Sequence, residues 1–270
     1  YHAPTGNTKA GKGQTSISRM LYCETLAREL TAVLTAATAE GTLFRVDLRL
    51  RPEGTVGPLA SSLDDALHYY QSRGRTWERL AFLKAKPIAG NIRVGQALIH
   101  GLSNFVYGNE EGEDPVFPAI QSLRSQILAK MIRRGEVDRH VKLGTGGIRE
   151  IEFIVQGLQL RWGYRYPKIR DRQTLKGLVK LTQIGKMTKQ EARTLKLSYV
   201  FLRNLEHKLQ MVHELQTHLL PSKAEEISKC AVRMGYLKGS TMEHATQTFL
   251  HDFRRHTTVV HQLYERIIGS

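Results

Sequence analysis

Cysteine is nearly absent: Cys23 and Cys230 are the only two in 270 residues, and they lie in different segments without metal-ligand spacing. A disulfide scaffold and a thiolate zinc site are excluded, and a reducing, cytoplasmic setting is the default expectation. No apolar run approaches the roughly 20 residues needed to span a bilayer, so a membrane is not an expected partner. The first residues carry no signal-peptide pattern. The eleven histidines include no pair at metalloprotease spacing; His207 and His213 stand six apart and do not share a helix face. All are read as surface or bundle residues, and no Ser/His/Asp or Cys/His arrangement supports nucleophilic catalysis. Internal repeats and low-complexity stretches are lacking too.

Acidic residues are also in short supply, 25 against 40 Lys and Arg, a formal net charge of +15. Such a balance favours anionic partners: nucleic acid, nucleotides or an acidic protein surface. Between Lys168 and Leu215, however, eleven basic and four acidic residues are strewn through a helical pattern. Without a basic cluster or an aromatic platform, the plainer reading is a solvated positive helix surface, and nucleic acid is not an expected partner. Hydrophobic content of 41% is enough for a core in one or two soluble domains.

The first fourteen residues read as a loop, with Ser16 the expected N-cap of a helix carrying Ile17, Met20, Leu21, Leu26, Leu30, Val33 and Leu34. Gly41 ends that segment. A further helix is expected from Ser62, with Asp64 and Asp65 in its first turn, where the helix dipole favours anions. Tyr69, Tyr70 and Trp77 sit at helical spacing and are expected in a core. After Pro118 the texture becomes long amphipathic helices, lined by Ile120–Ile132, Ile148–Leu158, Leu195–Val212 and Leu250–Ile267. The expected division is residues 1–95 as one domain, 96–115 as linker and 116–270 as an all-helical bundle.

Residues 44–51, Phe-Arg-Val-Asp-Leu-Arg-Leu-Arg, alternate strictly before Pro52. As a strand, this segment places Phe44, Val46, Leu48 and Leu50 on one face and Arg45, Asp47, Arg49 and Arg51 on the other. A carboxylate among guanidiniums suits phosphate chemistry with a hard cation such as Mg²⁺. An ordinary half-buried strand with a surface Arg-Asp-Arg cluster accounts for the same pattern. A lone strand cannot satisfy its backbone, so the segment needs partner strands that this sequence does not offer. The chain therefore reads as a fragment.

A second constellation, Lys142 to Gln156, opens a helix from a turn containing Gly144, Gly146 and Gly147. Free N–H groups at such a turn bind anions. Arg149, Glu152, Gln156 and Gln159 share a polar helix face, which lines a cleft or merely meets solvent with Arg149 and Glu152 paired. The glycine spacing matches neither a Walker loop nor a dinucleotide fingerprint.

Taken in order, Val46-Asp47-Leu48-Arg49-Leu50-Arg51-Pro52, Gly57-Pro58-Leu59, Trp77-Glu78-Arg79, Ile120-Gln121-Ser122-Leu123-Arg124, Lys142 to Gln156, Leu205-Glu206-His207 and Thr217-His218-Leu219-Leu220-Pro221 resemble the bacterial glutamine synthetase adenylyltransferases. The resemblance implies an α+β fold, with part of a nucleotidyltransferase domain followed by a helical bundle. It also implies one of two similar catalytic halves. One half adenylylates a tyrosine of glutamine synthetase with ATP; the other removes AMP by phosphorolysis, giving ADP. Gly-Gly-Ile-Arg-Glu-Ile-Glu-Phe is more similar to the removing half. On this resemblance Asp47 is the third metal carboxylate and holds Mg²⁺, with its two partners upstream. Arg49, Arg51, Arg149, Glu150 and Glu152 become nucleotide- or phosphate-binding residues, although spacing does not decide which glutamate reaches the cleft. The implied partners are glutamine synthetase, the PII signal protein, ATP or ADP, and phosphate, and the fragment alone is expected to be inactive. Alternatives are the adenylylating half, an enzyme similar to the PII uridylyltransferase, and a non-catalytic basic helical docking module.

Overall fold

The computed structural model describes residues 6–9, 15–42, 44–108, 115–213 and 217–269. The chain divides into two compact units, residues 1–108 and 109–270. Helix dominates both, with eleven α-helices among the described residues. Strand is confined there to a hairpin of two-residue strands, β1 (Ala37–Thr38) and β2 (Gly41–Thr42), paired antiparallel.

In the first unit, α1 (Arg19–Thr35) has its cap two residues beyond the expected one: the Ser18 hydroxyl, not that of Ser16, accepts from the Leu21 N–H at 3.2 Å. No residue of α1 is buried, and Met20, Leu21, Tyr22, Leu26, Leu30 and Val33 stand exposed. α2 (Leu63–Arg73) begins as expected, with Ser62 capping Asp65 N–H at 3.0 Å and Asp64 and Asp65 in the first turn. α3 (Thr76–Phe82) follows. α4 (Ile92–Gly101) and α5 (Ser103–Tyr107), packed on α2 and α3 respectively, take up residues 96–107 of the stretch expected as linker, while its residues 109–114 lie outside the described residues. Buried Leu102 and Val106 explain this, as does Phe105, whose ring lies 5.7 Å from Tyr70. Tyr69 and Tyr70 are core residues as expected, and Tyr70 meets Phe82 edge-on at 4.7 Å. Gly74 lets this cluster close, since a Cβ there would lie 2.4 Å from the Phe105 ring. Trp77 departs from expectation: on the outer side of α3, it remains 37% exposed.

Residues 44–51 do not form the expected strand. They run irregularly and bend at Leu50 and Arg51, with no ladder partner among the described residues; Phe44 and Leu50 are 59% and 66% exposed while Val46 and Leu48 are half-buried. The alternation of burial survives only from Arg45 to Arg49; the sheet that would use it is not among the described residues.

The second unit is a helical bundle built around α7 (Ile148–Trp162), which packs against α6 (Val116–Arg133), α8 (Thr174–Gln183), α9 (Lys189–His213) and α11 (Met242–Ile268). α10 (Ala224–Arg233) packs on α9 and α11. A 3₁₀ turn, Pro167–Ile169, joins α7 to α8. The four amphipathic stripes appear as helices, although Ile132 faces outward. Ile148, Ile151, Phe153, Ile154, Val155, Leu158 and Leu160 are all buried. At about 1.5–3 kcal/mol for each large apolar side chain, this is the principal apolar seam of the bundle. Among the described residues no helix is long and apolar enough to cross a membrane.

Candidate functional site

In the first unit the site residues lie on the irregular segment 44–51, just ahead of the Pro52–Gly57 turn. Both Asp47 carboxylate oxygens accept from Arg49: Nε at 2.9 and 3.0 Å, Nη2 at 2.6 Å, and the backbone N–H at 3.0 Å. These hydrogen bonds, and behind them the Arg49 and Arg45 charges, hold Asp47 well below the usual carboxylate range. The carboxylate is therefore ionised and exposed. Arg51 is used differently. Its guanidinium donates to the carbonyls of Leu48 (2.6 Å), Gly57 (3.0 Å), Pro58 (3.1 Å) and Thr55 (3.3 Å), closing the Pro52–Gly57 turn on itself. The structure thus brings Asp47 and Arg49 together and turns Arg51 inward as a clamp.

An ionised carboxylate is a proper oxygen ligand for Mg²⁺. Asp47 fits one coordination position on those grounds, and Arg49 is the cation it holds here. Among the described residues no cluster of three or more His, Cys, Asp or Glu could hold a metal, so the remaining oxygens are not supplied by them.

In the second unit most amides of the glycine-rich turn are already in use. Gly144 N–H donates to His140 O (2.7 Å), Gly147 to Gly144 O (3.1 Å), Ile148 to Val141 O (3.1 Å), Arg149 to Lys142 O (2.9 Å) and Glu150 to Gly147 O (3.1 Å). Gly146 N–H donates to Glu150 Oε2 at 3.0 Å. The expected anion cradle is thus largely occupied by the chain's own carbonyls and by Glu150. Gly146 has φ +68°, and a Cβ there would lie 1.8 Å from the Thr257 carbonyl oxygen, so this turn sits flush on α11.

Glu150 is fully buried. Its Oε1 accepts from Arg124 Nε (2.8 Å) and Nη2 (2.6 Å), and His261 Nδ1 lies 3.2 Å from Oε2. One carboxylate thereby ties α6, α7, α11 and the turn together. Burial, and then the charge of Glu150, push the nearby Tyr264 hydroxyl up to about 12. Arg149 and Glu152, by contrast, form a partly exposed i, i+3 pair at 3.1 Å, with Arg149 also 5.6 Å from the centre of the Phe153 ring. The anticipated polar face ends with that pair. Gln156 and Gln159 are buried, and Gln159 Nε2 donates to the carbonyls of Ile169 and Asp171, both at 2.8 Å.

Periodicity alone missed a further cluster. Val141 N–H donates to His218 O at 2.9 Å, and His218 Nδ1 lies 2.8 Å from buried Glu206 Oε1. Arg203 contacts the other Glu206 oxygen at 2.5 Å, and the His140 and His218 rings stack 5.8 Å apart. Burial opposes charge on Glu206, but His218, Arg203 and Lys142 together hold it below the usual range. The available signal was an acidic residue on the apolar side of a helix, Glu206 beside Leu202, Leu205 and Leu209, which demands a partner. Arg124, next to Ile120 on α6, carried the same signal.

Residues 121–268, more than half the chain, match the family described as GlnD PII-uridylyltransferase. Residues 1–100 match the one described as Glutamate-ammonia ligase adenylyltransferase. The chain is thus of the nucleotidyltransferase class that these two families represent. Relatives narrow the assignment. The chain is 38% identical over 248 residues, 91% of its length, to a bifunctional glutamine synthetase adenylyltransferase/adenylyl-removing enzyme of Bartonella quintana. Proteins of the same name in Rhizobium meliloti and Brucella melitensis are 40% and 41% identical over 89% and 78% of the chain. The chain belongs to the glutamine synthetase adenylyltransferase family, as the motif strings implied, and spans about a quarter of the length of these relatives: 24%, 24% and 22%.

Proposed function

We propose that this chain is part of an enzyme that controls glutamine synthetase through reversible adenylylation of a tyrosine, and that it comes from the half that removes AMP. The observation that carries this reading is the Asp47–Arg49 pair, an ionised carboxylate and a guanidinium, both exposed, within the part of the chain that matches an adenylyltransferase family. In the reaction, an oxygen of inorganic phosphate attacks the AMP phosphorus and forms the new P–O bond. The bond to the tyrosine oxygen breaks, and the products are ADP and a tyrosine that has regained its proton. Such transfers depend chiefly on positioning and charge neutralisation. Asp47 would hold Mg²⁺, which when bound supplies electrostatic stabilisation of the transferring phosphoryl group. Arg49, on leaving Asp47 for a phosphate oxygen, offers planar bidentate recognition. Arg149 and Glu152 supply the polar, partly exposed start of α7, while Glu150 and Arg51 act as positioning residues through the contacts they already make. Two further partners, the PII signal protein and ATP, belong to the same proposal, as does a cytoplasmic location.

A second reading, uridylyl transfer to a PII protein, is favoured by the match of residues 121–268. Relatives named for adenylylation span both units, which favours the first. Calorimetry on the full-length protein tests the assignment: Mg²⁺-dependent ADP binding is expected to be lost in Asp47→Ala. Retained binding in that variant contradicts the role given to Asp47. Salt-sensitive DNA binding that ignores the substitution would favour the docking-module alternative.

A further inference from the structure

The end of α7 and the 3₁₀ turn after it gather a basic and aromatic surface that scanning along the chain does not reveal. Residues 161–172 read Arg-Trp-Gly-Tyr-Arg-Tyr-Pro-Lys-Ile-Arg-Asp-Arg, and the one acid, Asp171, is taken by Lys180 at 2.7 Å. Arg161, Arg165 and Lys168 are exposed and, among the described residues, pair with no carboxylate. Rings organise these cations. Arg161 lies 4.8 Å from the centre of Phe117 on α6, and Lys186 Nζ, from the loop after α8, lies 3.6 Å above Trp162. Tyr164 stands beside them, 38% exposed.

We propose that this surface docks an acidic face of a partner protein. Arginine, tyrosine and tryptophan are the residues that dominate protein–protein hot spots. A guanidinium braced on a ring loses less freedom when it forks onto a carboxylate. Single-stranded nucleic acid fits less well, because base stacking needs open ring faces and here Lys186 covers Trp162 while Arg161 covers Phe117. A second copy of the same surface is opposed by like charge.

The test uses the chain itself with a fluorescein-labelled helical peptide of Glu, Ala and Leu that carries its carboxylates on one face. A single-stranded oligothymidylate of equal charge serves as the rival probe. Anisotropy is read for the unaltered chain, for Arg161→Glu/Arg165→Glu, and for the charge-matched Lys130→Glu/Arg133→Glu on the exposed side of α6. Circular dichroism verifies that each variant is folded. The proposal expects the first pair to weaken peptide binding about tenfold or more, as loss of two interface anchors should, and the α6 pair to change it little. In a Trp77→Phe background, Trp162 emission should shift on peptide binding. Absence of peptide binding, equal loss in both double variants, or tighter binding of the oligonucleotide would overturn it. If Arg161→Glu fails to fold, Arg165→Glu/Lys168→Glu carries the same comparison.

Discussion

Two carboxylates from similar-looking strings play opposite parts. Asp47 is exposed and gripped by a neighbour two residues away, an arrangement that a competing cation or phosphate can open. Glu150 is buried and holds four elements in place. Removing one member of a buried pair leaves the other charged and unpaired, so Glu150→Ala is expected to cost about 3–5 kcal/mol in urea unfolding. Replacing both members with apolar residues, Arg124→Met with Glu150→Leu, should recover most of that loss. A cost below about 1 kcal/mol for the single change would remove Glu150 from its structural role.

Two histidines give the fold a pH dependence. Burial, and then the charge of His218, hold His140 below its ordinary 6.5; burial and Arg255 do the same for His256. The folded state therefore binds these protons less readily than the unfolded state. Their effect on stability is neutral above the ordinary pKa and becomes a penalty as pH falls below about 6.5. The urea midpoint should fall between pH 7 and pH 5.5, and a His140→Gln/His256→Gln variant should show a shallower fall. An unchanged slope would place the titration elsewhere.

At the scale of elements, the contrast between α1 and α7 is the most informative. Both are amphipathic in sequence, yet α1 buries nothing and α7 buries nearly every turn. Hydrogen exchange should accordingly be orders of magnitude faster in α1 than in the middle of α7. Comparable protection would mean that α1 is covered by something beyond the contacts described. The same contrast explains what was legible in the sequence. Periods of 3.6 residues found α6, α7, α9 and α11, because each helix supplies its own hydrogen bonds. α8 and α10 escaped notice, as ten residues each leave under three turns of period to read. The alternation of residues 44–51 indicated a strand but could not supply a ladder, which depends on other strands. The pairs Arg124–Glu150 and Glu206–His218 join residues far apart in the chain, so spacing could not reveal them.

At the scale of the whole molecule, family membership rests on both units, since the relatives match across residues that span them. The helical unit supplies a pinned glycine-rich turn and a basic, aromatic end. The first unit supplies the Asp47–Arg49 pair. The central claim is that Asp47 serves the removal of AMP, and one measurement addresses it directly. In the full-length protein, Asp47→Asn is assayed for phosphate-dependent release of ADP from adenylylated glutamine synthetase and, in parallel, for ATP-dependent adenylylation. Phosphorolysis is predicted to fall by about two orders of magnitude or more, the effect of losing a metal-ion contribution of several kcal/mol, while adenylylation persists. Undiminished phosphorolysis, or loss of adenylylation in its place, would contradict the assignment.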